Sequence, residues 1–288
     1  MKRNITITVF LASFIALGCF TGSVYAQDDD ITLPDASAHT VLRLPNVHPG
    51  RDDVFNYAKS LLEMALTATK ERYGTFEFVI TESELAQERQ LRSLEHDLLD
   101  VTWSVTSKDR ETQHLAIRVP IMAGLFGKRV LLINESATTF NTPLTLSQLQ
   151  QLRSVQGYDW PDTKILAYNN LPIKPLSNYQ AMFKLLSAGR VDYFPRSFIE
   201  VNSELEENPG KFALLPDVYL EYPTAFYFFV NKAKPKLADD LKRGLNKLKN
   251  SGEFDALFSR YFEKDLARLS MYQSDKAISL KNPYFNTE

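Results

Sequence analysis

The chain has 288 residues, with 33 basic and 35 acidic side chains, a formal charge of -2 and a single cysteine, Cys19. That balance argues against a nucleic-acid binder, which needs a clustered basic face, and one cysteine excludes an internal disulfide framework. The length permits one large domain or two smaller ones, each able to bury a core.

Lys2 and Arg3 precede a nearly all-apolar segment, Ile5 to Phe20, and Val24-Tyr25-Ala26 puts small residues where a signal peptidase reads. The pattern predicts a secretory signal peptide over residues 1–26. An uncleaved anchor is the alternative, but the apolar core is short of the ~20 residues that a span requires. Lipid attachment at Cys19 is a second alternative, but the apolar run and a better cleavage site both continue past it. Cleavage after Ala26 leaves 262 residues (288 minus 26), a balance of 31 minus 35, or -4, and no cysteine. No other stretch is long and apolar enough to cross a bilayer, so a soluble, periplasmic chain is expected.

Residues 27–40 are polar and aperiodic, the signature of a flexible leader. Val41 to Pro45 reads as a strand, followed by a turn-rich loop containing His48 and Arg51. Val54, Ala58, Leu61, Leu62, Ala65 and Leu66 recur at helical spacing, and Gly74 ends that helix. A strand over Phe76 to Thr81 and a charged helix over Leu85 to Leu98 lead to a strand ending Asp100-Val101-Thr102-Trp103. A polar elbow, Ser104 to Glu111, carries Arg110 just past that strand's carboxyl end. Pro120 interrupts, and Lys128 to Asn134 is apolar and β-branched enough for a buried strand.

Beyond this waist we expect a helix over Leu144 to Leu152, a strand over Lys164 to Tyr168, and an amphipathic helix through Tyr179, Met182, Phe183 and Leu186. A strand over Val191 to Phe194, a polar helix over Ser197 to Glu207 and a strand over Phe212 to Leu215 follow. Thr224 to Asn231 is strongly strand-like and offers a second crossing. Leucine stripes at 237, 241, 245 and 248, then Phe254, Leu257, Phe258, Tyr261 and Phe262, close the chain with two helices. Strands alternating with helices imply an α/β fold with a largely parallel sheet. Two extended crossings imply two lobes around a hinge-closing cleft: 41–118 with 225–288 as lobe 1, and 119–224 as lobe 2. Ligands of open α/β sheets sit at the carboxyl ends of the strands, where Arg110 lies.

Three segments resemble the bacterial extracellular solute-binding proteins of family 3, relatives of the amino-acid receptors of ABC importers. They are Leu98 to Val101 followed by Thr106-Ser107-Lys108-Asp109-Arg110, then Leu185 to Asp192 (LLSAGRVD), then Phe228 to Phe262. The resemblance covers about residues 40 to 268 and implies the type II periplasmic-binding-protein fold, two α/β lobes joined by two extended hinge crossings. It implies that Arg110 grips a ligand carboxylate, a role suited to a two-pronged guanidinium, with Ser107 in the same segment. It also implies that an aromatic residue near the first lobe's strand ends covers the ligand. Trp103 fits that position and fits core packing equally.

Where such receptors present an acidic residue for a ligand ammonium, this chain reads Tyr193-Phe194-Pro195-Arg196-Ser197. Two arginines facing one cleft point to an anionic or zwitterionic solute, with Arg196 and Ser197 from the second lobe and His48 and Arg51 as wall residues. The alternative for Arg196 is an ion pair to Asp192 or Glu200. No metal-ligand spacing, nucleophile elbow or phosphate loop is present, so no cofactor, metal or catalysis is expected. A dehydratase on the same fold would need Glu200 as its acid beside Arg110. The expected partners are a small carboxylate-bearing solute and an inner-membrane permease or sensor, with the protein itself a monomer and no nucleic acid bound.

Overall fold

A computed structural model describes residues 39–46, 52–137, 140 and 144–286, all within one body spanning 34–288. The expected signal segment 1–26, most of the expected leader, and the wall candidates His48 and Arg51 lie outside the described residues. The chain opens with strand β1 (His39–Asn46), helices α1 (Asp52–Thr67) and α2 (Lys70–Tyr73), strand β2 (Thr75–Glu84) and helix α3 (Gln87–Glu95). Strand β3 (Val101–Val105), helix α4 (Lys108–Gln113) and strand β4 (Leu115–Ile117) complete this half. The next run is β5 (Lys128–Asn134), α5 (Leu146–Leu149), β6 (Ser154–Gly157), α6 (Pro161–Tyr168), β7 (Ile173–Leu176), α7 (Tyr179–Ser187), β8 (Phe194–Ser197), α8 (Val201–Glu207) and β9 (Phe212–Glu221). Strand β10 (Phe226–Val230), helices α9 (Pro235–Ser251) and α10 (Glu253–Ser270) and strand β11 (Ala277–Ser279) follow.

The core divides as these elements do. In the first half, the apolar stripe of α1 (Tyr57, Leu61, Leu62, Leu66) packs with Leu241 and Leu245 of α9, Phe258 and Phe262 of α10, and Val101 and Phe228 of the strands. Helices α1 and α9 approach so closely that a Cβ on Gly244 would stand 2.0 Å from the Ala65 carbonyl oxygen. In the second half, two clusters cover the faces of one sheet, since neighbouring residues of β5 alternate sides. Val130 and Leu132 pack with α7, while Leu131 and Ile133 pack with α6.

The sheets are not largely parallel. Strand β10 lies antiparallel between β3 and β4, with Phe228 opposite Trp103. Strand β5 is antiparallel to both β8 and β9. Only β1–β2, β6–β7 and β9–β11 run parallel among the described strand pairs. Strand β10 comes back from the second half beside β3, so it must run against it.

Several element readings change. Lys164 to Tyr168, expected as a strand, is the second half of helix α6. Pro161 sits in its first turn with Asp162, placements that favour a helix start. The elbow holds the short helix α4, so Arg110 is helical. The strand expected at Val191 to Phe194 begins only at Phe194. The carboxyl-terminal segment leaves the first half. Helix α10 has a break at Phe262, Leu269 touches both cores, and β11 pairs with β9 in the second sheet. The tail then returns to the first half, where the Lys108 amide donates to the Tyr284 carbonyl at 2.8 Å.

Candidate functional site

Between the two halves lies a cavity of about 70 Å³, room for a few waters. Phe55, Trp103, Phe126 and Phe226 line it from the first half and the β4–β5 crossing, and Trp160 and Tyr179 line it from the second. Both tryptophans of the chain are therefore in the cavity wall. Strand β3 delivers Trp103, whose ring tilts against Phe55 at 5.6 Å and stands edge-on to Phe228 at 6.2 Å. Trp103 is 8 % exposed, so it packs in the core and faces the cavity at once. Trp160 follows β6 and lies over Gly157, where a Cβ would come 2.4 Å from the indole. Gln87 and Gln90 of α3 supply amides, and the carboxylates among the described lining residues are Asp159 and Glu200.

Arg110 belongs to a second cavity of about 280 Å³ on the other side of Asp159 and Trp160, two residues that line both spaces. Its guanidinium donates to Ser104 Oγ at 2.7 Å, to the Val105 carbonyl at 2.6 Å and, across the cleft, to the Asp159 carbonyl at 2.9 Å. Gln87 Oε1 accepts from it at 3.3 Å. Burial pulls the group down to about 10, against nearby Glu88, Asp159 and Asp162, so it stays charged at neutral pH. The Asp159 carboxylate meanwhile accepts from the Glu88 amide at 3.0 Å, in the first turn of α3. One residue of the second half thus occupies both the arginine and a helix amino terminus, two places where an anion would bind.

Arg196 is wholly buried. Its Nε donates to both oxygens of Glu204, at 2.7 and 2.9 Å, and its Nη2 lies 3.0 Å from Glu200. Burial disfavours its charge, but the carboxylates of Glu200 and Glu204 outweigh that and hold it well above its ordinary value. The same guanidinium lies 5.1 Å from the Trp160 ring and 4.9 Å from that of Phe194, bracing the cavity wall from behind. Arg129, a second buried arginine, donates to Glu200 at 3.3 Å and to Tyr222 at 3.0 Å and pairs with Asp162. Two guanidinium groups therefore face three carboxyl groups, a formal balance of 2 minus 3, or -1. Neither arginine lines the cavity; Glu200, 4 % exposed, does.

Among the sequence candidates, the structure puts Trp103 at the aromatic cavity and Arg110 with Ser107 at the second one. Ser107 caps α4, accepting from the Arg110 amide at 3.3 Å. Ser197 is buried and donates to the Leu125 carbonyl at 3.1 Å, a tie to the crossing. Arg196 takes the ion-pair alternative with Glu200, while Asp192 pairs with Arg153 instead. The two arginines therefore do not converge on one solute position. Trp160, Tyr179 and Phe126 line the cavity without a sequence signal that sets them apart from core aromatics. The spacing 196, 200, 204 along β8 and α8 was the one readable sign of the buried cluster.

No family model matches the chain. A probable histidine-binding protein of Neisseria gonorrhoeae is 26% identical over 125 residues, 42% of this chain, and the match spans 46% of that relative's length. Among solved structures, a Salmonella typhimurium periplasmic binding protein described as highly arginine-specific superposes with a TM-score of 0.58 at 16% identity, covering 78% of this chain and 100% of its own. This chain has the type II periplasmic-binding-protein fold. A histidine kinase sensor domain similar to periplasmic binding proteins reaches 0.59 at 15% identity, covering 79% and 97%. An ancestral arginine-binding protein bound to arginine reaches 0.57 at 14%, covering 77% and 98%. The resemblance read from the sequence, to solute-binding proteins of family 3, is thus met again in both comparisons. The relatives named are binding proteins and a sensor domain. No helix among the described residues is long and apolar enough to cross a membrane.

Proposed function

We propose that this binding-protein fold serves as a solute receptor of the periplasm, holding one small, amino-acid-sized solute between lobe 1 and lobe 2. The supporting observation is the cavity itself, to which both halves contribute aromatic rings and the second half a buried carboxylate. A ligand favours closure only through contacts made by both lobes, and this wall meets that condition. Of the two expected solute classes the zwitterion fits better than the anion. Arg110 and Arg196 already face protein acceptors and neither lines the aromatic cavity, whereas Glu200, itself paired with Arg129 and Arg196, brings a carboxylate to its wall.

The receptor reading includes export by the signal segment and a monomeric state, with a permease or a membrane sensor as partner; the sensor-domain likeness keeps the second partner in view. We assign no catalysis. Glu200, the acid a dehydratase would need beside Arg110, lines a different cavity and is held between Arg129 and Arg196. The test is a thermal-shift screen of the protein against amino acids, amines, organic acids and short peptides. A ligand at a hundredfold excess over its Kd adds about 2.7 kcal/mol, and a panel without one hit would refute the receptor reading.

A further inference from the structure

We propose that the aromatic cavity takes an organic cation without a carboxylate, an amine, guanidine or quaternary ammonium compound, in preference to the amino acid it corresponds to. The inference rests on the receptor reading and adds the solute's chemistry. Three features of the site carry it.

The first is the wall. Six aromatic rings converge on about 70 Å³, and the side chains among the described lining residues that carry charge at neutral pH are the carboxylates Asp159 and Glu200. Aromatic faces attract a cation within about 6 Å of the ring, and more strongly where water is excluded. Arg196 and Arg129 already lie over Trp160, Tyr179 and Phe126, so Phe55, Trp103 and Phe226 carry that attraction for a solute. The second is the charge behind the wall. Glu200 stands between Arg129 and Arg196, but Glu204 and Asp162 belong to the same cluster, so its formal balance is negative, 2 minus 3. An anion entering the cavity would meet that balance with no guanidinium on the lining, whereas a cation would neutralise it.

The third feature is the occupied clamp. A carboxylate reaching for Arg110 would have to pass the Asp159–Trp160 partition and displace the Asp159 carbonyl, 2.9 Å from the guanidinium. The other amino-terminal position an anion would seek, the first turn of α3, already holds the Asp159 side chain at 3.0 Å. A solute's carboxylate would therefore lose its water without gaining a charged donor, a cost that a carboxylate-free cation avoids.

The test is a matched-pair titration of the full protein, read by calorimetry: agmatine against arginine, histamine against histidine, cadaverine against lysine, with tetramethylammonium and glutamate added. The expected result is that at least one amine or tetramethylammonium binds, each bound amine being about tenfold or more tighter than its parent amino acid. Glu200→Gln should weaken that binding about tenfold or more. Because this variant sits between two arginines and can fail to fold, the wild-type pairs decide alone. Tighter binding of the amino acids, or of glutamate, would overturn the proposal and leave the receptor reading standing. Binding of nothing in a folded sample would overturn the proposal, and the wider solute screen then decides the receptor reading.

Discussion

Replacing Arg196 by Met separates a ligand-gripping arginine from a buried structural one. The side chain is wholly buried, lies over the rings of Trp160 and Phe194, and is the ion-pair partner of both Glu200 and Glu204. Methionine retains much of the volume but leaves Glu200 with Arg129 and Glu204 with the Tyr179 hydroxyl in place of a guanidinium. Removing one partner of a buried pair costs about 3–5 kcal/mol. For a chain of this size each kcal/mol moves Tm by roughly 2–4 °C, so the melt should fall by about 6–20 °C. In a double-mutant cycle, Arg196→Met with Glu204→Leu should recover a substantial part of the loss, because the second change removes a stranded charge. Differential scanning calorimetry at neutral pH reads all four proteins of the cycle: wild type, the two single variants and the double variant. An Arg196→Met variant that melts like wild type while losing affinity for an anion would refute this reasoning and restore Arg196 to the solute.

Other consequences follow from single residues. The Asp100 carboxyl is held at about 2, because hydrogen bonds from Arg43 and Lys234 outweigh its burial. Its contribution is present above pH ~4 and is lost as pH falls toward 2. The interval from 3.8 to about 2 is worth about 2 kcal/mol, reduced to about 1–2 by the partial exposure of both cations. Asp100→Asn should therefore lower the melting temperature at pH 7, with the gap to wild type closing below pH 4. Asp265 behaves oppositely: burial, with Asp53 nearby, pushes it up to about 6 against a hydrogen bond from Asn202. Wild type should lose stability between pH 4 and 6, and Asp265→Asn should melt higher at pH 7 but not at pH 4. Gly157→Ala puts a Cβ 2.4 Å from the Trp160 ring, so it should cost about 1–3 kcal/mol and shift the tryptophan emission. An unchanged spectrum would mean the ring does not rest there.

Much of the fold is legible because its long elements carry regular patterns. The leucine stripe of α9, the apolar run of β5 and the aromatic run of β10 each state their burial in their own residues. The short elements do not. Lys164 to Tyr168 is a five-residue window, apolar after its lysine, that fits a strand or a helical turn and a half equally, and only Pro161 and Asp162 before it favour a helix. The carboxyl-terminal crossing is hidden because a three-residue strand pairing across the molecule, β11 with β9, leaves no local period. For the site, a chain position at a strand end says where Arg110 and Trp103 begin but not what they face. Arg110 meets a backbone carbonyl of Asp159, and no side-chain pattern announces a carbonyl acceptor. Arg196 reads as a cleft cation until Glu204, eight residues later, is folded against it. The aromatic run at Phe226 to Phe229 reads as core, and Phe228 and Phe229 are core, yet Phe226 also lines the cavity.

Both tryptophans of the chain, Trp103 and Trp160, stand in the cavity wall, one from each side of the cleft. A titration followed by intrinsic tryptophan emission is therefore a direct reading of that cleft, with no label and no background from elsewhere in the chain. The receptor account predicts a saturable change of emission with at least one small nitrogenous solute, altered in Trp160→Phe and in Trp103→Phe. Emission that stays flat across the whole panel in a folded sample would contradict it.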